Sequence, residues 1–402
     1  MSVFTVEISR HGRFALETSA TLEMPATWPE YLDAKQKARI TDDTVIFSTE
    51  FVDCKYDWLS PHITKNENPQ ELNLLAERLE NHIKDDIDIF EAMVKIETWR
   101  NGGQPIPLPR LINLTFSVDN CQVVGNITSD ELLGSFLFEN DFLTDEDAAA
   151  IQTRIDSEQS VYDLFATLGK EHRLNIGGIL ITPGCYIEFD GDINEAYIPG
   201  SVDILAHPRA PVIMEIFKRK GNDELHTAVL EMPPYTMNAL SEAFEKVGVK
   251  SLWECGYNCT ECLIPNAREW INNAQDINLV YNFAIILDRL ALHGGAIELK
   301  ALLEAAKCSD LDTAVSMADD ISAYKLITEF SGPDDYARDY LDRLQADTGG
   351  IGLSRFVNLY ELGKKVMEHE NAMWTSYGIL RRVDGGPILS QSDIPSMRME
   401  MA

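Results

Sequence analysis

Cys255, Cys259 and Cys262 stand in a C-x3-C-x2-C run, a spacing at which three thiolates can hold an iron–sulfur cluster. With Cys308 or His293 as a fourth ligand the same thiols could hold a structural zinc. A metal or iron–sulfur enzyme built on Cys255, Cys259 and Cys262 is therefore one chemistry these residues offer. Against it, the run lies mid-chain, no succession of βα units follows to build a barrel, and the matching stretch of the first half carries only Cys54. Other catalytic patterns are incomplete. His293-Gly294-Gly295 is followed by no Lys-Ser or Lys-Thr and reads as a helix end, and Glu368-His369-Glu370 lacks the second histidine of a zinc-protease helix. No G-x-S-x-G elbow occurs. The expectation is a protein that is not an enzyme, with no catalytic residue, metal or cofactor assigned.

Carboxylates are the more abundant chemistry. The 402 residues hold 65 Asp and Glu against 34 Lys and Arg, a net charge of −31, and the sequence pI is near 4.5. Four groups stand out: Asp85, Asp86, Asp88 and Glu91; Asp145, Glu146 and Asp147; Glu188, Asp190, Asp192 and Glu195; and Asp334, Asp335, Asp339 and Asp342. Asp335, Asp339 and Asp342 share one helical face, with Tyr336, Tyr340 and Leu344 on another. In an isolated helix, like charges at that spacing cost roughly 0.2–0.5 kcal/mol per pair. The ordinary account of any single group is a solvated face. Taken together they resemble a polyanion. B-DNA carries about one charge per 1.7 Å of axis, so the whole net charge on one path would match on the order of 50 Å of duplex, roughly 15 bp. Such a chain is expected to repel nucleic acid and anionic membranes and to suit a partner lined with Lys and Arg.

The elements that would position these groups occur twice. Leu22-Glu23-Met24-Pro25 recurs as Leu230-Glu231-Met232-Pro233, each after a pair of alternating strands. In the first pair Phe4, Val6 and Ile8 alternate, Gly12 supplies a turn, and Phe14 and Leu16 begin the return. In the second, Ile213 to Phe217 leads through Lys220-Gly221-Asn222-Asp223 to Leu225, Ala228 and Leu230. At the same offset Leu72, Leu75, Ala76 and Leu79 fall on Val280, Phe283, Ala284 and Leu287, the spacing of one helix face. Asn68-Pro69-Gln70-Glu71 signals the start of the first of these helices, and a second helix follows in each copy, over 86–96 and 297–306. The strand 121–124 then matches 324–327. Each runs into a capped acidic helix, after Thr128-Ser129-Asp130-Glu131 and Ser331-Gly332-Pro333-Asp334. Finally Leu168-Gly169-Lys170 matches Leu362-Gly363-Lys364, and Gly184 matches Gly378. The order never inverts while the offset shrinks, which indicates an old duplication.

The predicted fold is α+β, in two diverged tandem copies, each of small antiparallel sheets with helices and a helical segment between them, and elongated. The expected divisions are a small β-rich domain 1–66, a helical segment 67–104 and an α+β domain 105–205. The second copy repeats them at 210–266, 267–307 and 308–384, before a mobile tail 385–402. Linkers are expected at Arg100 to Pro105, Ala206 to Pro211 and Thr348 to Gly350. Trp28, Trp58, Trp253, Trp270 and Trp374 are expected as core or interface aromatics. Seven cysteines without a regular framework, Met1 to Arg10 reading as a strand, and no apolar run near 20 residues point to a cytoplasmic chain that does not cross a membrane.

The stretch Asn68-Pro69-Gln70-Glu71-Leu72-Asn73-Leu74-Leu75-Ala76, after a small β domain and before an acidic capped helix, resembles the ArdA family of antirestriction proteins. So does Leu111-Ile112-Asn113-Leu114-Thr115-Phe116, through Gly134 to Asn140-Asp141, which is similar to segments in related proteins of bacterial conjugative elements. The resemblance implies an acidic, multi-domain DNA mimic that occupies the DNA-binding groove of a type I restriction-modification enzyme or a similar DNA-binding defence protein. The tandem arrangement departs from that family, and it leaves open whether the chain also forms a homodimer.

Overall fold

A computed structural model describes residues 2–10, 18–40, 47–64, 67–181, 184–200, 210–218, 226–234, 237–348, 352–355 and 357–388. The expected turns at Gly12 and Lys220 to Asp223, the strand starts at Phe14, Leu16 and Leu225, most of the linker from Ala206, Gly349 and Gly350, and the tail beyond residue 388 lie outside these residues.

The first copy opens with β1 (Phe4–Arg10), β2 (Ser19–Met24), α1 (Trp28–Lys37) and β3 (Phe47–Cys54). Next come α2 (Pro69–Glu77), α3 (Ile87–Arg100) and α4 (Leu108–Leu114). A strand β4 (Gln122–Gly125) leads to α5 (Asp130–Glu139), α6 (Asp145–Asp156) and α7 (Tyr162–Ile176), and β5 (Ile179–Ile181) and β6 (Cys185–Glu188) close the copy. The second copy repeats the plan with β7 (Val212–Lys218), β8 (Thr227–Met232), α8 (Met237–Val247) and β9 (Cys255–Cys262). The helices α9 (Ala267–Asn273), α10 (Ile277–His293), α11 (Ala296–Ala305) and α12 (Leu311–Asp319) follow. The copy ends with β10 (Tyr324–Ile327), α13 (Pro333–Thr348), α14 (Leu359–His369), β11 (Met373–Thr375) and β12 (Gly378–Arg382).

The protein is α+β, built of three-stranded sheets whose orders repeat: β2-β1-β3 and β8-β7-β9, then β4-β6-β5 and β10-β12-β11. The last two are antiparallel with matching registers, Gln122 opposite Glu188 and Tyr324 opposite Arg382. β1 and β7 bury the same alternate positions, Phe4, Val6 and Ile8 in one, Val212, Met214 and Ile216 in the other, as a half-covered sheet requires. Both Met24-Pro25 and Met232-Pro233 are cis.

Local signals hold where the sequence places them. Asn68 caps α2 by accepting from the Gln70 N–H at 3.0 Å, with Pro69 at the first helical position. Gly294, at φ 78°, ends α10 in the left-handed conformation that lacks a Cβ penalty. The helix pairs α5/α7 and α13/α14 cross at equivalent glycines. A Cβ on Gly169 would sit 1.9 Å from the Asp130 carbonyl oxygen, and one on Gly363 1.8 Å from that of Pro333.

Divergence is local. Helix α13 runs on to Thr348 where α5 stops at Glu139, and among the described residues no separate α-helix stands between α13 and α14 as α6 does between α5 and α7. α2 ends in a wider turn, closed by Ile83 N–H donating to the Arg78 carbonyl at 3.0 Å. There Arg78 donates to the Thr115 carbonyl at 2.9 Å and stacks on Phe116 at 3.9 Å.

By internal contacts the chain divides into two compact units. Unit 1 comprises 1–6, 23–25 and 49–205; unit 2 comprises 7–22, 26–48 and 206–402. Helix α1 therefore belongs to unit 2 although it lies in the first copy. Among the described residues no helix is long and apolar enough to cross a membrane.

Candidate partner-binding surface

Unit 1 places three of the four acidic groups. Asp86 precedes the first residue of α3 and Asp88 lies in its first turn, where the exposed N–H groups and helix dipole favour negative charge. Asp85 and Asp88 are exposed, Asp86 is half-buried, and none of the three has an ion-pair partner among the described residues. Glu91 differs, being paired with Lys95 one turn on.

Asp145, Glu146 and Asp147 form the first turn of α6. Thr144 caps it, accepting from the Asp147 N–H at 3.2 Å and donating its hydroxyl to the Asp147 carboxylate at 2.6 Å. Asp145 and Glu146 are left exposed. Arg154 is the only basic residue between Arg110 and Lys170, an interval holding eleven carboxylates. Its guanidinium lies 2.8 Å from Asp163, whose pKa that hydrogen bond lowers. Asp130 is held by Arg173 through two bonds of 2.7 and 3.0 Å, and its carboxyl is likewise lowered by Arg173. Asp119, Asp141, Asp145, Glu146 and Glu158 remain exposed without an ion-pair partner among the described residues.

The third group follows β6 in irregular chain, which side chains fasten down. Asn113 brackets Tyr197, donating to its carbonyl at 2.9 Å and accepting from its N–H at 2.7 Å. Ser117 accepts from the Asn194 N–H at 2.8 Å, and Asn120 donates to the Asp192 carbonyl at 3.0 Å. Asp190 accepts from the Asp192 N–H at 2.8 Å, and Asp190, Asp192 and Glu195 are exposed. Glu188 is instead half-buried 2.7 Å from His172.

The fourth group, on α13 in unit 2, is interleaved with cations. Arg338 lies 2.8 Å from Asp334 and 2.5 Å from Asp335, and Arg343 lies 3.0 Å from Asp339. Of the like-charge face expected at Asp335, Asp339 and Asp342, only Asp342 is exposed and has no such partner among the described residues. Arg338 and Arg343, three or four residues from their partners, were the signal for this and are legible at helical spacing.

The three clustered cysteines lie along β9 and do not converge. Four residues of extended chain separate Cys255 from Cys259 by about 13 Å. Thr260 is extra in the pairing, Glu261 standing opposite Ile213 while Cys259 stands opposite Met214, and Cys262 is brought to the buried face. All three thiols pack in the apolar core of the second copy. Burial pushes Cys262 up to about 12 and raises Cys259 further. The Cys259 thiol donates to the Glu261 carbonyl at 3.3 Å. Among the described residues no three His, Cys, Asp or Glu side chains gather as a ligand set. Trp253 is 61% exposed, away from the core.

A buried polar network in unit 2 was not foreseen. The Lys300 ammonium on α11 lies 2.8 Å from Asp33 on α1 and 2.9 Å from the Gln36 amide oxygen. Tyr377 donates to the same Asp33 oxygen at 2.8 Å, and Lys37 pairs with the other at 2.8 Å. Burial lowers Lys300 and works to raise Asp33, but Lys300 and Lys37 together carry Asp33 below its ordinary value. Arg268 on α9 adds a contact to Glu30 at 2.9 Å.

No family model matches the sequence, and no curated protein matches it.

Proposed function

We propose that this chain is a DNA mimic that occupies the basic DNA-binding groove of a type I restriction-modification enzyme or a similar DNA-binding defence protein, without catalysis of its own. The observation that carries the reading is the one-sided charge of residues 111–169, eleven carboxylates against Arg154 alone. With Asp130 paired to Arg173 as well, a net of nine charges remains, corresponding to about 15 Å of duplex axis, roughly 4–5 bp. Asp145 and Glu146 are held on a capped helix, and Asp190 and Asp192 on a hydrogen-bonded loop, so their charges are presented without being neutralised by neighbours. Rigid presentation matters because a flexible acidic tail loses conformational entropy on binding, whereas a preorganised surface loses less. A groove lined with Lys and Arg would exchange its bound anions for such a surface as it does for DNA.

The reading narrows the acidic surface expected from sequence. Asp85, Asp86, Asp88, Asp145, Glu146, Asp190 and Asp192 support it most directly, and the cation-paired α13 least. The test is competition: increasing amounts of the full chain are added to a purified type I restriction-modification enzyme holding a labelled duplex, at low and high salt. Displacement that weakens steeply with salt is expected. Failure to displace DNA, or displacement indifferent to salt, refutes the mechanism.

A further inference from the structure

Helix α3 carries, along one face, Asp88, Glu91, Lys95 and Trp99, spaced i, i+3, i+7 and i+11. Its acidic end and its aromatic end are therefore three turns apart, about 16 Å. Trp99 is 61% exposed, an unusual state for the largest apolar side chain. The indole lies over Gly177, where an added Cβ would meet the ring at 3.2 Å. Beside it is a hollow of about 170 Å³ lined by Ile96, Trp99, Leu174, Gly177, Gly178 and Ile179, and Leu174 is itself 48% exposed. That is room for a single large apolar side chain.

The charged groups at the rim do not define a ligand of their own. Lys95 is paired with Glu91, and Arg173 is held by Asp130. Nor does the fold require the hollow. With the residues preceding α3 and α11, Asp86 and Gly295, aligned, Trp99 falls on Cys308; with the first residues of β5 and β11 aligned, Leu174 falls on Glu368. In the second copy a carboxylate thus takes the place of Leu174, and α11 ends at Ala305, short of Cys308, so that copy has no helical position equivalent to Trp99. An aromatic with an apolar hollow beside it, at the far end of a helix around whose start Asp85, Asp86 and Asp88 have no ion-pair partner among the described residues, matches a partner surface that is basic and carries an apolar projection about 16 Å away.

We infer that the hollow beside Trp99 seats one apolar side chain from the rim of the basic groove that the carboxylates enter. The inference rests on the DNA-mimic reading and deepens it. Duplex DNA offers a groove its phosphates, its shape and the edges of its bases, so an aromatic-walled apolar seat gives the protein a contact that DNA lacks. Charge then sets the rate of encounter and its salt dependence, while the buried aromatic contact slows dissociation at any salt.

The experiment measures direct binding of the full chain to a purified type I restriction-modification enzyme across a salt series, for wild type, Trp99→Ala, Leu174→Asp and the double variant Asp85→Asn/Asp88→Asn. Both apolar-seat variants are expected to bind about tenfold to a hundredfold more weakly at every salt; Trp99→Ala leaves the salt slope unchanged, and Leu174→Asp, which adds a carboxylate, does not flatten it. The double variant is expected to flatten the slope. Because Trp99 and Leu174 are largely exposed, circular dichroism melts should match wild type and exclude misfolding as the cause. Wild-type affinity in Trp99→Ala and Leu174→Asp overturns the seat and leaves the charge reading standing, whereas no binding by wild type overturns both. Wild-type self-association that Trp99→Ala abolishes, read by sedimentation, assigns the hollow to a second copy of the chain and also overturns the inference.

Discussion

The ammonium of Lys300, 1% exposed, lies 2.8 Å from the carboxylate of Asp33, tying the first helix of one copy to a core helix of the other inside a single unit. With Leu22-Glu23-Met24-Pro25 matched to Leu230-Glu231-Met232-Pro233, Asp33 falls on Ser241, and with Asp86 and Gly295 aligned Lys300 falls on Glu91, so among the described residues the second copy has no equivalent pair.

Removing Asp33 leaves the buried Lys300 ammonium with the Gln36 amide oxygen, whereas removing Lys300 leaves Asp33 with Lys37 and Tyr377. Asp33→Leu is expected to destabilise unit 2 by about 3–5 kcal/mol, and Lys300→Met by less. The double replacement Lys300→Met/Asp33→Leu should cost clearly less than the sum of the two single changes. Urea unfolding of the four proteins gives the coupling, and simple additivity would show that the pair is not a latch.

The same network sets an acid limit. Asp33 is lowered in the folded protein, so its contribution is fully present above the unfolded carboxylate value of about 3.9 and is lost as pH falls through the lower folded value. Stability of unit 2 should therefore fall below about pH 4, and Asp33→Asn should flatten that limb while lowering stability at neutral pH. An unchanged acid limb in the variant would place the titrating group elsewhere.

Glycine at the helix crossings is a third point of sensitivity, and both copies share it. Gly169→Ala and Gly363→Ala would each force a methyl to within 2 Å of a carbonyl oxygen, at 1.9 and 1.8 Å. Separating the helices is expected to cost about 1–3 kcal/mol or more in either copy. Gly102→Ala meets nothing within 4 Å and reports only the cost of its positive φ. Thermal melts of the three variants rank these costs, and equal losses would remove the crossing argument.

The duplication and the α+β class were legible because they rest on local, repeated signals: alternation at Phe4, Val6 and Ile8, the Asn68-Pro69 cap, the glycines at 169 and 363. Exposure at the acidic groups was only partly legible. Asp145 and Glu146 stand out in the sequence only as part of an acidic run, and it is the fold that sets them in the first turn of a helix capped by Thr144, whereas the neutralisation of Asp334, Asp335 and Asp339 is legible in the helical spacing of Arg338 and Arg343. Asp33 and Lys300 are 267 residues apart in the sequence, and no periodicity joins them. The geometry of the cysteine run was likewise not legible. Its spacing suits a loop wrapped around a cluster, and β9 is extended, which draws the thiols apart.

Extended geometry and burial make those thiols poor nucleophiles. With Cys259 and Cys262 raised by burial, alkylation of the native protein at neutral pH should leave Cys255, Cys259 and Cys262 unmodified, and denaturant should expose them. Peptide mass mapping after a short iodoacetamide pulse reads this directly. Rapid native labelling of Cys259, or stoichiometric iron or zinc in the purified chain, would reopen the metal reading.

Charge placement gives the sharpest contrast between the copies. Asp145→Asn/Glu146→Gln removes two unneutralised charges from α6, and each lost contact should reduce the salt slope of partner binding by about one. Binding at low salt should weaken about tenfold, consistent with contacts that lie outside strong local ion pairs. Asp334→Asn/Asp335→Asn removes the same formal charge from α13, where Arg338 already cancels half of it and the surface field is correspondingly weaker. That variant should bind within about twofold of wild type, since both carboxylates are half-buried against Arg338 and offer a partner little net charge. Since Asp145 and Glu146 also favour the start of α6 by roughly 0.3–1 kcal/mol each, melting curves must accompany the binding series. If both variants lose affinity equally, the acidic surface is not confined to the first copy, and net charge rather than fixed placement governs binding.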